Sequence, residues 1–312
     1  MADLLLMGIR FALFAVLMLI AGLAAFPLHA LEPGERQDLE LGSIISRPLP
    51  WLCAAALFLS LMGMAVLTAS MQGVGIFAID PAMVVTLMGE TDVGVAGLVR
   101  MAALLVAAVV AFRIARNPVA ATMTVAAAGA AALATLAWSG HAGASEGTAG
   151  WIHRAGDALH MMAAAIWLGA IAGFLLMLLP GEPVAKARLA MTARSLDRFA
   201  PVGTLCVLLI AATGLVNGQM IVGAANVGRS IAAPYGQLLA IKLVLFAAML
   251  ALAAANRWRL TPALGRAFDE PDTDPASAAR AMRHSLVLEA LAGLAILALV
   301  AWFGMLEPFP PV

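Results

Sequence analysis

Eight apolar stretches, each long enough to cross a bilayer, constrain this chain more than any other feature of its sequence. About 30 Å of hydrocarbon takes around 20 helical residues, because each adds only 1.5 Å and every backbone group must be satisfied within the segment. The stretches run from Leu4 to Leu31, Pro50 to Met71, Gly94 to Ile114, Pro118 to Trp138, Trp151 to Leu179, Phe199 to Val222, Tyr235 to Ala255 and Ser285 to Leu306. An all-α polytopic membrane bundle, one integral domain over residues 1–312, is therefore expected. Composition agrees: 63% of residues are apolar and only 12% charged, where a soluble domain has about 25% charged. The first stretch is too long for a signal-peptide core and lacks a basic start, so it reads as a retained helix. With zero net charge and no basic stripe, nucleic-acid binding is excluded as a function class. Cys53 and Cys206 lie singly in separate apolar runs, which makes them packing residues rather than a redox or zinc pair.

Orientation follows from the cations, since short cytoplasmic loops collect Lys and Arg. Arg36, Arg47, Arg113, Arg116, Lys186, Arg188, Arg194, Arg198, Arg257, Arg259, Arg266, Arg280 and Arg283 all fall in odd-numbered connections, whereas the even connections hold only Arg154 and Arg229. Both termini are expected to be extracytoplasmic. Trp51, Trp138, Trp151, Tyr235, Trp258 and Trp302 fall near predicted helix ends, where amphipathic rings prefer to lie, and Trp167 alone is deep. The second connection, Gln72 to Val93, predicts a short helix lying on the bundle. Gly169-xxx-Gly173 and Gly214-xxx-Gly218 predict close helix approach in the fifth and sixth spans.

Three of the five histidines fall in one region. His141 sits just beyond the fourth span. His153, Asp157 and His160 are spaced four and three apart, so they share one helix face, continued inward by Ala164 and Trp167. Imidazole suits copper, zinc, iron or nickel, and a thioether such as that of Met161 shifts preference toward Cu(I). The alternative is an intramembrane hydrogen-bond network that only fixes packing. Met62, Met64 and Met71 could extend a soft-ligand path along the second span.

Ionisable residues inside spans are costly and mark function when a partner can be named. Arg10, Arg100 and Lys242 lie at the same depth as Asp157 and His160. Either one cation pairs with Asp157 while the others snorkel outward, or together they form an anion-binding outer cavity suited to haem propionates or a quinone head. Glu289, in the eighth span, is an exit ligand or proton carrier, or else it pairs with Arg283 or Arg257. His29 and His284 read as solvated or capping groups. No P-loop of the form GxxxxGK[ST] and no catalytic nucleophile is visible, so the chain is not expected to be an enzyme.

The ordered series Ser139-Gly140-His141-Ala142, Asp157-Ala158-Leu159-His160, Ala165-Ile166-Trp167-Leu168-Gly169, Thr213 through Asn217, Tyr235 through Lys242, Asn256-Arg257, Glu289 and Glu307-Pro308 resembles the copper-resistance protein D (CopD) family of bacterial inner-membrane proteins. The resemblance implies eight spans and copper movement across the inner membrane, inward, alongside a periplasmic copper carrier of the CopC type. It carries over His141, Asp157, His160, Lys242 and Glu289 as family-like positions. A b-type haem protein moving electrons, with histidines from two helices as axial ligands, stands as the alternative.

Overall fold

The computed structural model describes residues 2–113, 118–140, 143, 146–179, 186–269 and 274–309, apart from the side chains of residues 2, 3, 39, 186, 268 and 269. Those residues form helices and turns with no strand. Eight helical segments are long and apolar enough to span a membrane: Leu4–Ala30, Glu40–Gln72, Asp92–Ala111, Pro118–Trp138, Gly147–Met177, Ala187–Ile221, Pro234–Ala267 and Pro275–Phe303. The span count matches the sequence, and the differences lie at the ends. The sixth span extends back to the region of Lys186 and the eighth begins at Pro275, because amphipathic turns prolong both helices beyond their apolar stretches. Asp274 fixes the latter start by accepting the Ala276 and Ser277 amides, with Pro275 in the first turn.

In chain order the helices are α1 (Ala2–Ala30), α2 (Leu39–Ser46), α3 (Leu49–Gln72), α4 (Pro81–Glu90), α5 (Asp92–Ala111), α6 (Pro118–Ala134), α7 (Gly147–Met177), α8 (Lys186–Ile221), α9 (Val227–Ala232), α10 (Pro234–Ala255), α11 (Thr261–Asp269) and α12 (Pro275–Phe303). A π turn, Asn256–Leu260, joins α10 to α11. As expected for Gln72 to Val93, α4 lies on α5 and α3, with Leu87 as its buried anchor. The short α2 before the second span was not anticipated.

The fifth span, α7, is the axis of the bundle: half of its most apolar stretch is buried, and it packs on α1, α8, α6 and α12. Its crossing with α1 is backbone on backbone. A Cβ on Gly22 would lie 1.8 Å from the Ala165 carbonyl oxygen, and one on Gly169 would lie 2.1 Å from the Gly22 carbonyl carbon. Gly173 gives the Phe26 ring its place in the same seam, where Phe26 and Phe174 meet edge to face at 5.0 Å. Without a hydrophobic force between helices in lipid, such close approach is what holds them together. The other glycine pair departs from expectation. A Cβ on Gly218 would meet nothing within 4 Å and one on Gly214 only the His160 ring, so this pair lines a cavity rather than a close backbone crossing.

At the end of the bundle away from the termini, the odd connections are pinned by charge. Arg36 donates to the Leu28 and Leu31 carbonyls at the end of α1, while Arg194 and Arg198 pair with Glu35 and Glu32. His29 is not solvated as expected: both ring nitrogens are buried, and the ring packs on Phe26 and Phe199. Cys53 and Cys206 are buried and free, as a packing role requires. Trp51, Trp151, Trp258 and Trp302 are exposed, but Tyr235 is buried against Phe303.

The seam predicts a sharp contrast between two glycines. Gly169→Val should lower the yield of monodisperse, detergent-extracted protein several-fold, whereas Gly218→Val should leave it near wild type, as read by size-exclusion chromatography. Equal tolerance at both sites would mean that the α1–α7 crossing does not hold the bundle together.

Candidate functional site

A cavity of about 920 Å³ occupies the terminus-bearing half of the bundle, between α1, α7, α8, α10 and α12. His153, Asp157, His160, Met161, Ala164 and Trp167 all line it, so the predicted polar stripe of α7 faces one space. His153 and Met161 are themselves buried. His141 lies outside the described residues. Among the described residues, no three His, Cys, Asp or Glu side chains converge into a ready-made metal cage. Of the methionines expected on the second span, only Met64 reaches the cavity, where Met18 joins it; Met71 is exposed on the outside of the bundle.

The sixth span holds the functional face of the fifth. Thr213 Oγ1 stands 3.0 Å from His160 Nδ1 and 2.5 Å from the Leu209 carbonyl oxygen. A hydroxyl has one proton, and here it goes to the backbone carbonyl. The hydroxyl oxygen therefore accepts from Nδ1–H, and a neutral His160 keeps its lone pair on Nε2. One turn further along α8, Asn217 Nδ2 donates to Asp157 Oδ1 at 3.3 Å. Residues four apart on α8 thus hold residues three apart on α7, the match expected of two packed helix faces. Gly214 lies between them and leaves room for the imidazole, its virtual Cβ 3.6 Å from Cε1.

The three intramembrane cations line the same cavity, and none of them makes an ion pair among the described residues. Arg10 Nη1 donates to the Ser139 carbonyl at 3.2 Å, and its Nη2 end borders Gly304. Lys242 Nζ lies 5.8 Å from the Phe303 ring centroid. Arg100 is buried and is held by two hydroxyls, Ser60 at 3.2 Å and Thr135 at 3.5 Å, each of which donates its own proton to a helix carbonyl. The pairing of one cation with Asp157 is therefore replaced by the Asn217 hydrogen bond, and the cations remain at the cavity wall instead of snorkelling away.

Trp167 forms part of the cavity's deep end, and behind it lies Glu289. The indole Nε1 donates to Glu289 Oε1 at 2.6 Å, and Asn256 Nδ2 donates to Oε2 at 2.9 Å. The pairing with Arg257 or Arg283 does not occur among the described residues: Arg257 turns to the Ala200 carbonyl and the Thr204 hydroxyl instead. Glu289 is buried and sits at the middle of α12, which runs from Pro275 to Phe303. The π turn at Asn256–Leu260 is what brings Asn256 inward, a use of such turns that recurs at functional sites.

Two family models cover most of the chain, copper resistance protein D-like, N-terminal domain, over residues 1–151, and copper resistance protein D over residues 193–303. Copper resistance protein D of Pseudomonas syringae pv. tomato is 38% identical over 313 residues, covering 99% of this chain and 98% of that relative. The chain belongs to the copper resistance protein D family. Inner membrane protein YebZ of Escherichia coli (strain K12) is 31% identical over 175 residues, 56% of each chain. No solved structure matches. The family resemblance drawn from ordered motifs is thus correct, and the chain is a multi-pass copper-resistance membrane protein.

Thr213 and Asn217 were part of that family resemblance without a role. Their spacing of four, set against the His160 and Asp157 spacing of three, was the signal for it. Thr213→Val should release the His160 tautomer, giving mixed Nδ1–H and Nε2–H populations in ¹⁵N-histidine spectra, while Thr213→Ser keeps the single Nδ1–H form. An unchanged tautomer in Thr213→Val would mean that the hydroxyl does not orient the ring.

Proposed function

We propose that this protein carries copper across the bacterial inner membrane, inward from the periplasmic side, and contributes in that way to copper homeostasis or resistance. The observation that carries this reading is one cavity lined by His153, Asp157, His160 and Met161 at the terminus-bearing end of a copper resistance protein D family bundle. On this reading both termini and the cavity mouth are periplasmic, as the cation distribution across the connections favours.

Copper is received at His160 Nε2, the lone pair left by the Thr213 contact, with His153 and His141 as further imidazole donors. The Met161, Met64 and Met18 thioethers line the route and suit the softer Cu(I). Glu289 takes over beyond Trp167. Each of its oxygens accepts one N–H and keeps a further lone pair with which to take a metal ion or a proton. A periplasmic copper carrier of the CopC type is the proposed donor partner. The bis-histidine haem alternative would need His141 or another helix, since His153 and His160 stand on one helix and cannot face each other across a macrocycle.

In cells expressing the chain, copper accumulation should rise above a vector control. His160→Ala and Glu289→Gln should each reduce that rise at least several-fold at unchanged membrane abundance. Glu289→Gln preserves shape and lets Asn256 turn its otherwise unpartnered Oδ1 toward the new amide, so its defect would report chemistry rather than folding. Accumulation below the control would reverse the direction of transport, and equal uptake by wild type and both variants would remove these residues from the path.

A further inference from the structure

Between α8 and α10 the cavity wall reaches the outer surface of the bundle. Helix α8 packs on α7, and α10 packs on α12 and α9; α8 meets the α10 chain mainly through α11 and the π turn at the far end. The two spans therefore diverge on the cavity side. Leu215 on α8 and Leu243 on α10 both line the cavity while remaining 77% and 58% exposed, so the same side chains face the cavity and the surrounding lipid. Small residues normally draw membrane helices together. Here Gly214 and Gly218 line the cavity, meet no helix of the α10 side, and leave a groove.

The charge at the head of this slot is unbalanced. Among the described residues, Arg10, Arg100 and Lys242 share the cavity with a single carboxylate, Asp157, and the surrounding wall is mostly apolar. A buried cation without a counter-charge is costly in a low-dielectric setting, and the cost falls when an anion joins it. A free inorganic anion would have to leave water for an apolar slot with only part of its shell replaced. An anion carrying its own apolar body fits both halves of the space at once.

We propose that the cavity admits an acidic phospholipid from the bilayer through the slot between α8 and α10. Its phosphate is held by Arg10 and Lys242 beside Phe303 and Gly304, and one acyl chain lies along Leu215 and Leu243. Arg100, fixed by Ser60 and Thr135, adds positive potential from the opposite wall. This site is independent of whether copper travels through the protein.

The test is native mass spectrometry of the full chain in detergent, titrated with dioleoyl phosphatidylglycerol or dioleoyl phosphatidylcholine, without copper. Phosphatidylglycerol should bind about tenfold more tightly than phosphatidylcholine, the preference expected when cations meet an anionic headgroup. Lys242→Gln should bring the two lipids close to parity. Leu215→Trp, which fills the slot at an exposed position and leaves every cation in place, should weaken phosphatidylglycerol binding. His160→Ala should retain it, separating this site from the proposed copper path. Equal binding of the two lipids by wild type overturns the proposal, as does a phosphatidylglycerol preference that survives both Lys242→Gln and Leu215→Trp. Displacement of the lipid by inorganic phosphate at equal concentration would make the ligand a free anion and overturn it likewise.

Discussion

The crossing of α1 and α7 at Gly22 and Gly169 is the contact on which the rest of the arrangement depends. With no side chain between them, the two backbones run close enough for α1 to present Arg10, Leu13 and Met18 to the space that α7 lines with Asp157 and His160. In water, burial of apolar surface could hold such helices together at a looser distance. In lipid, packing and interhelical hydrogen bonds must do so, and both require close approach.

Given that frame, each costly polar group on α7 is held by a neighbour. Thr213 and Asn217 orient His160 and Asp157 from α8, and Glu289 on α12 meets Trp167, which belongs to the same α7 face just under one turn beyond Ala164. The result is a graded column along the α7 face, imidazole and carboxylate near one end, thioether beside them, then an indole, which ends on a second carboxylate supplied by α12. The cations are treated differently. They receive hydroxyls, a carbonyl and an aromatic face, but no carboxylate within ion-pair distance among the described residues, so their charge remains expressed in the cavity.

The spans were legible because the bilayer demands a length of apolar sequence that little else explains, and the family was legible from ordered motifs. The shared face of His153, Asp157 and His160 followed from helical spacing. What the sequence left open are matters of three-dimensional pairing. Nothing local distinguishes Gly169-xxx-Gly173, which packs a helix, from Gly214-xxx-Gly218, which lines a cavity. Likewise, the sequence left Arg257 or Arg283 as the partner of Glu289, whereas the folded chain gives it the Trp167 indole and the Asn256 amide. Polar amphipathic turns before the sixth and eighth spans were invisible to a criterion built on apolar length.

The most direct measurement is metal content, read together with the visible absorption spectrum, of detergent-purified wild type and His160→Ala after copper exposure. The proposed copper path predicts copper in the wild type, its loss in His160→Ala, and no Soret band in either. Haem without copper, or equal copper in both proteins, would contradict the assignment of the α7 face as the copper path.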